Sequence, residues 1–230
     1  KAEEFIEYAA IATVCDVVDL LEENRIIVKQ GLKMLNNTKN LGLRALIRET
    51  SIENKKISAY HLGFIIGPEI NATGRLETAA LAVELFLSDN EEKARELAVK
   101  LHELNTERQA LTQKSVEELD ELLKASYNTD HKVILLYSPT VHESIAGIAA
   151  GRIKEKYNLP TIVLTRGKEV PKGSARSIEG YNIFEELSKC KHLMEKFGGH
   201  PMAAGLSIKE ENIDFLRQEL NNNCTLTEED

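Results

Sequence analysis

From Asn90 to about Ser126 the chain contains neither glycine nor proline. Leu97, Leu101, Leu104, Leu111, Leu119 and Leu122 recur there at roughly helical spacing, with charges between them. A continuous helix over this stretch is about 55 Å long at ~1.5 Å per residue. A helix so long and so charged is of the kind that links two lobes. The flanking sequence fits that division. Before it, "FIEYAAIATVCDVVDLL" is largely apolar and is expected to be buried, and "NRIIVKQGLKMLN", "GLRALIRE", "SAYHLGFIIG" and "ETAALAVELFLS" read as short helices. After it, "KVILLYS", "PTIVLT", "KGSARSI" and "GLSI" read as strands. They alternate with helices in "ESIAGIAAGRIKEKYN", "NIFEELSKC" and "EENIDFLRQELNN". Strand–helix–strand order predicts an α/β lobe with a parallel pair. The predicted organisation is a mostly helical lobe over 1–88, a linking helix over 89–127 and a compact α/β lobe over 128–230.

Composition narrows the function classes. With 42% hydrophobic residues, the 230-residue chain has enough apolar material for globular cores. No apolar run reaches the roughly 18 residues of a membrane span. "KAEEFIEYAA" has neither the apolar stretch of a signal peptide nor an initiator Met, which reads as an excised piece of a cytoplasmic protein. Cys15, Cys190 and Cys224 lie too far apart to suggest a disulfide framework or a zinc site. Net charge is −8, against a general coat of nucleic-acid-binding charge. The charge is uneven, however. Glu77 to Asp130 holds 13 acids against 6 bases, whereas Arg152 to His200 holds 10 bases against 6 acids. A basic island in an acidic protein suits a local anion site, and equally suits lysines that solvate helix faces.

Four stretches could carry chemistry. In "ATVCDVVDL", Asp16 is flanked by apolar residues, and Asp19 lies three positions on, within reach of the same helix face. A buried carboxylate requires a partner or a metal, but Asp16 equally serves as N-cap of a helix over "VVDLLEE". In "GPEINATGRL", Asn71, Gly74 and Arg75 are expected in a turn before a helix starting near Glu77. Free amides beside a guanidinium would make a phosphate perch there, and a plain capped loop fits as well. In "KGSARSI", strand alternation puts Ser174 and Arg176 on one face, a pair suited to phosphate oxygens. An ordinary polar edge strand is the alternative. In "KFGGHPMAAGLSI", Gly198 and Gly199 allow close backbone approach beside His200; a tight turn with a structural histidine fits the same residues. His142, after a strand, either starts a helix or touches a ligand.

Together, "ATVCDVV", "NRIIVKQGL", "HLGFIIGPEINATGRLETA", "HESIAGIAAGRI", "KGSARSI" and "FGGHPMAAGLSI" span nearly the whole chain. The set resembles the RecJ-type single-strand-specific exonucleases of the DHH phosphoesterase superfamily, and the second lobe resembles the DHH-associated domain. The resemblance implies 5′-to-3′ hydrolysis of single-stranded DNA with Mn²⁺ or Mg²⁺, in recombination and repair. It implies a 5′-phosphorylated strand as substrate, single-strand-binding protein or a helicase as partner, no membrane, and a monomer. Asp16 matches the last metal-binding aspartate. Asn71 and Arg75 match the motif beside the cleft, Ser174 and Arg176 the 5′-phosphate pocket, and His142, Gly198, Gly199 and His200 substrate contacts of the second lobe. The strand is then expected to lie in a groove between the lobes. Val141 and Ser144 stand where the family often has Trp and Gly, and Glu69 where Arg is common. The aspartate-rich and Asp-His-His motifs are missing, so the two-metal site is expected to be incomplete and this chain inactive alone. Oligoribonucleases and cyclic-dinucleotide phosphodiesterases of the same superfamily, and a non-catalytic nucleic-acid scaffold, are the alternatives.

Overall fold

The computed structural model describes residues 3–126 and 131–227, so the boundary expected at 127/128 lies outside the described residues. The chain forms two compact units, Lys1–Gln109 and Ala110–Asp230, and the division falls inside one helix. That helix runs unbroken over Glu91–Ser126, as the glycine- and proline-free stretch predicts. The class is mixed α/β, and among the described residues the strands lie in the second unit.

The first unit is helical. It comprises α1 (Ile6–Cys15), α2 (Glu22–Leu35), α3 (Leu41–Glu49), the single turn α4 (Ala59–His61), α5 (Gly67–Leu76), α6 (Ala80–Leu87) and the start of α7 (Glu91–Ser126). Leu35, Leu43, Leu46, Leu62, Ile66, Leu85 and Leu101 form its fully buried core. Asn40 joins two of these helices: its side chain accepts from the Leu43 amide at 2.8 Å, capping α3, and donates to the Phe86 carbonyl at 2.7 Å.

Two expectations change here. The "FIEYAAIATVCDVVDLL" stretch is not one buried segment. α1 stops at Cys15, Val17 takes φ +56°, and Val17 (88% exposed), Val18 and Leu21 face outward. Asp16 is therefore the exposed C-cap of α1 and not the N-cap of a following helix, and Asp19 lies outside α1. Nor does a turn hold Asn71 and Arg75. A π-helical turn over Leu62–Ile66 leads directly into α5. Pro68 sits in the first turn of α5 directly behind the π-turn, so the helical run continues through it instead of ending there.

In the second unit, β1 (Ile134–Tyr137), α8 (Glu143–Tyr157) and β2 (Thr161–Thr165) form the parallel unit. β3 (Lys172–Arg176), α9 (Ile183–Lys189), β4 (Met194–His200), β5 (Ala203–Ile208) and α10 (Ile213–Asn223) follow. The sheet order is β1-β2-β3-β5-β4, with all pairings after the first antiparallel. One face carries Leu135, Ile162, Leu164, Ala175, Leu206 and Ile208, packed with Ile183, Leu187, Leu216 and Leu220 of α9 and α10. The other face carries Ile134, Leu136 and Val163, packed with Ala146, Ala149, Ala150 and Ile153 of α8 and with Leu119 and Leu123 of α7. Asp120 ties α7 to α8. Its carboxylate accepts from Lys156 Nζ at 2.6 Å and Tyr157 Oη at 2.7 Å, and pairs with Lys124 at 2.6 Å. These three donors hold its carboxyl far below the usual aspartate range.

Candidate functional site

The first unit holds a cavity of about 720 Å³ lined by Asp16, Asn71 and Arg75 together with Tyr8, Ile11 and Phe86. Asn71 and Arg75 are four residues apart on α5, so they share a helix face. Asp16 reaches the same cavity from the end of α1. The structure thus brings the three sequence-predicted residues of this unit to one hollow, all of them solvent-accessible. The predicted perch on free helix amides does not form, because Arg75 lies in the last turn of α5. Cys15 also lines the cavity, and burial pushes its thiol above its ordinary range.

The opposite face of α5 fixes its position. Glu69 is 3% exposed and turned toward α7. Its Oε1 accepts from Asn105 Nδ2 at 2.9 Å and lies 3.2 Å from His102 Nδ1. Asn105 Oδ1 in turn accepts from Arg108 Nε at 3.1 Å and Nη2 at 2.9 Å. Glu69 is absent from the cavity lining; it builds a helix–helix clamp instead.

In the second unit the sheet register decides which side chains meet. Residues directly opposite each other in an antiparallel pair point to one face. Arg176 is opposite Ala203, and Ala203 opposite His200. Ser174 is opposite Gly205, and Gly205 opposite Gly198. Arg176, Ser174, Gly198 and His200 therefore occupy two adjacent rows on one face, with only Ala203 and Gly205 between them. The rows are about 6.7 Å apart, two residues of strand rise. On this face α8 packs chiefly over β2 and β3. A Cβ on Gly147 of α8 would lie 2.8 Å from Arg176 Nη2, so a side chain there would displace the guanidinium, while Ser174 Oγ at 3.4 Å would stay in ordinary contact.

The glycine pair divides in two. Gly199 points its hydrogen toward β5, where a Cβ would overlap the Ala203 carbonyl and the Ala204 backbone. Its reason is packing between strands. A Cβ on Gly198 would meet nothing within 4 Å, and one on Gly205 would have only the Gly173 carbonyl, at 3.9 Å. Packing does not exclude a side chain at either, and together they leave an open strip between Ser174 and β4. The tight turn allowed by the sequence is not what forms: Gly198, Gly199 and His200 are the end of an edge strand. Glycine is depleted in strands, which hid β4 from sequence reasoning. Once β4 is a strand, period-two alternation adds Lys196 to the face of Gly198 and His200, and Ser207 and Lys172 opposite it.

His142 caps α8, accepting from the Ser144 amide at 3.3 Å and lying 2.7 Å from Ser144 Oγ through the same Nδ1. With Nδ1 accepting from the amide, the neutral ring carries its proton on Nε2, which leaves that nitrogen as a donor. The helix-start alternative is thus what this residue's contacts display, with Ser144 as the partner.

No three His, Cys, Asp or Glu side chains gather in metal-binding geometry among the described residues. Asp16 is an exposed carboxylate, and among the described residues no further ligands are grouped with it. No helix among the described residues is long and apolar enough to cross a membrane.

Comparison with known proteins agrees with this architecture. Residues 130–225 match the DHHA1 domain. The single-stranded-DNA-specific exonuclease RecJ of Bacillus subtilis is 39% identical over 99% of this chain, and that of Escherichia coli 38% identical over 94%. The chain spans only 29% and 39% of those two relatives. The crystal structure of Thermus thermophilus RecJ with Mg²⁺ superposes with a TM-score of 0.86 at 31% identity, covering 96% of this chain and 34% of that one. A manganese-bound exonuclease RecJ gives a TM-score of 0.80 at 32% identity, covering 96% of this chain and 54% of that one. With sequence likeness and fold likeness running together over almost every residue, the chain belongs to the RecJ-type members of the DHH superfamily, as a partial RecJ carrying a DHHA1 domain.

Proposed function

We propose that the protein containing this chain is a metal-dependent exonuclease that shortens single-stranded DNA from its 5′ end, and that this chain supplies phosphate-gripping surfaces. The observation that carries the reading is a pair of adjacent rows: Arg176 and His200 in one, Ser174 and Gly198 in the other, on one sheet face with no side chain larger than methyl between them. Arg176 can fork onto two phosphate oxygens, Ser174 Oγ donates a further bond, and His200 donates from the far side. The open strip at Gly198 and Gly205 lets the ligand lie against backbone. Asn71 and Arg75 bind phosphate in the first-unit cavity, beside Asp16. Asp16 is one ligand of a divalent metal whose other ligands lie outside this chain. When bound, that metal supplies an activated water; the residues here hold and orient the strand. The known relatives carry the name single-stranded-DNA-specific exonuclease, which supports this substrate.

The test is Arg176→Ala with Ser174→Ala, assayed by fluorescence anisotropy on 5′-phosphorylated and 5′-hydroxyl oligothymidylate. Each substitution should weaken binding of the phosphorylated strand by about 1.5–3 kcal/mol for Arg176 and about 1 kcal/mol for Ser174. The 5′-hydroxyl strand should lose much less. Equal losses on the two strands would remove the end-phosphate role.

A further inference from the structure

We propose that the exposed face of β5 is the floor of a trough that holds one DNA strand by two separated phosphates. The first lies between Arg176 and His200, and the second between Lys172 and Lys196. The proposal rests on the reading of Arg176 as a phosphate ligand and extends it to a second subsite.

The register builds the trough. Along β5, Ala203, Gly205 and Ser207 face the same side, and each is opposite one residue of β3 and one of β4. Ala203 lies between Arg176 and His200, Gly205 between Ser174 and Gly198, and Ser207 between Lys172 and Lys196. The walls are thus cationic at both ends and low in the middle. The β3 and β4 backbones are about 9.5 Å apart, two strand spacings. The two ends are about 13 Å apart, four residues of strand rise. A mononucleotide cannot occupy both ends. An extended strand can, with two nucleotide steps over the Gly205–Gly198 strip.

The two lysines are unequal. Lys172 Nζ is 2.6 Å from Glu143 Oε1, with both side chains about half exposed at 48% and 52%, so part of its charge is already balanced. Lys196 is exposed on the edge strand and has the larger share of the second subsite. Its opposite neighbour Ser207 offers a hydroxyl to the same anion. Lys196 is not a catalytic residue; it grips the strand remote from its end. A single strand suits this geometry because its charge repeats along one line, as the two cationic ends of the trough do.

The experiment uses the 230-residue chain and two probes, the mononucleotide pdT and the trinucleotide pdTpdTpdT, with affinity measured calorimetrically at several salt concentrations. Lys196→Ala should leave pdT binding unchanged. It should weaken the trinucleotide about five- to tenfold, as expected for loss of one exposed charged contact, and flatten its log–log salt slope by about 0.7. Arg176→Ala should weaken both probes. Lys191→Ala, an exposed lysine outside the trough, should change neither. If Lys196→Ala leaves the trinucleotide unaffected while Arg176→Ala weakens both probes, the second subsite is overturned and the first stands. If Arg176→Ala affects neither, or neither probe binds the unaltered chain, the underlying phosphate reading fails as well. A triglutamate peptide binding as tightly as the trinucleotide would make the trough a general anion surface and overturn the strand assignment.

Discussion

Gly198 and Gly199 are neighbours in sequence, and the structure predicts opposite outcomes for alanine at each. At Gly199 a Cβ would overlap the Ala203 carbonyl and the Ala204 Cα and Cβ, mostly backbone that no rotamer change can move. β4 must then shift away from β5. Overpacking of this kind costs about 1–3 kcal/mol. For a unit of this size that lowers its melting temperature by about 4–15 °C. At Gly198 a Cβ enters open space. Alanine loses less backbone entropy than glycine in a strand, so Gly198→Ala should stabilise the second unit by about 0.5–1 kcal/mol. The same methyl stands in the strip where the ligand is placed, so binding of a 5′-phosphorylated oligonucleotide should fall by about tenfold, the effect of roughly 1.4 kcal/mol. Thermal denaturation followed by circular dichroism gives the first quantity, and anisotropy titration the second. Gly199→Ala melting at or above the unaltered chain would refute the packing argument. Gly198→Ala binding with undiminished affinity would take the strip out of the site.

The Asp120 cluster makes a pH prediction. Lys124, Lys156 and Tyr157 hold its carboxyl below the ordinary value, so the contribution is present above the unfolded-state pKa of about 3.9 and is lost as pH falls below it toward the depressed folded pKa. Because the two lysines are half exposed or more, we expect about 1–2 kcal/mol from the cluster after screening. Asp120→Asn should lower the melting temperature at pH 7 and flatten its decline below pH 4, and an unchanged acid limb would contradict the assignment. In the first unit, Glu69→Ala removes the acceptor of the buried Asn105 amide and should cost about 2–3 kcal/mol in denaturant titration, while Glu69→Gln keeps an acceptor and should cost about 1. Equal losses from both would show that the clamp works by packing alone.

The parts of this fold visible in the sequence are those governed by local periodicity. The leucine stripe and the lack of breakers over α7 are a one-dimensional signal, and so are the apolar runs that became β1 and β2. Strand alternation likewise places Ser174 and Arg176 on one face without knowledge of the rest of the sheet. The failures occur where a local rule meets a non-local contact. Pro68 reads as a stop, but the π-turn before it carries the helical run through into α5. The glycines of β4 read as a turn because the partner that demands Gly199 is β5, across the hairpin. Asp16 reads as buried from its neighbours Val14, Val17 and Val18; in fact α1 ends at Cys15, and Val17 and Val18 face outward while Val14 packs on the core. Lys196 was invisible for the same reason as β4, since its face has no meaning until the strand exists.

The central claim is that one sheet face of the second unit receives a terminal phosphate. Its most direct test is an amide chemical-shift map of the chain titrated with 5′-phosphorylated thymidine. The account predicts that Ser174, Arg176, Gly198, Gly199, His200 and Gly205 shift together and saturate with one binding curve, while α9 and α10 on the opposite face stay still. Shifts confined to α9 and α10, or scattered with no saturation at the β3–β5–β4 rows, would contradict it.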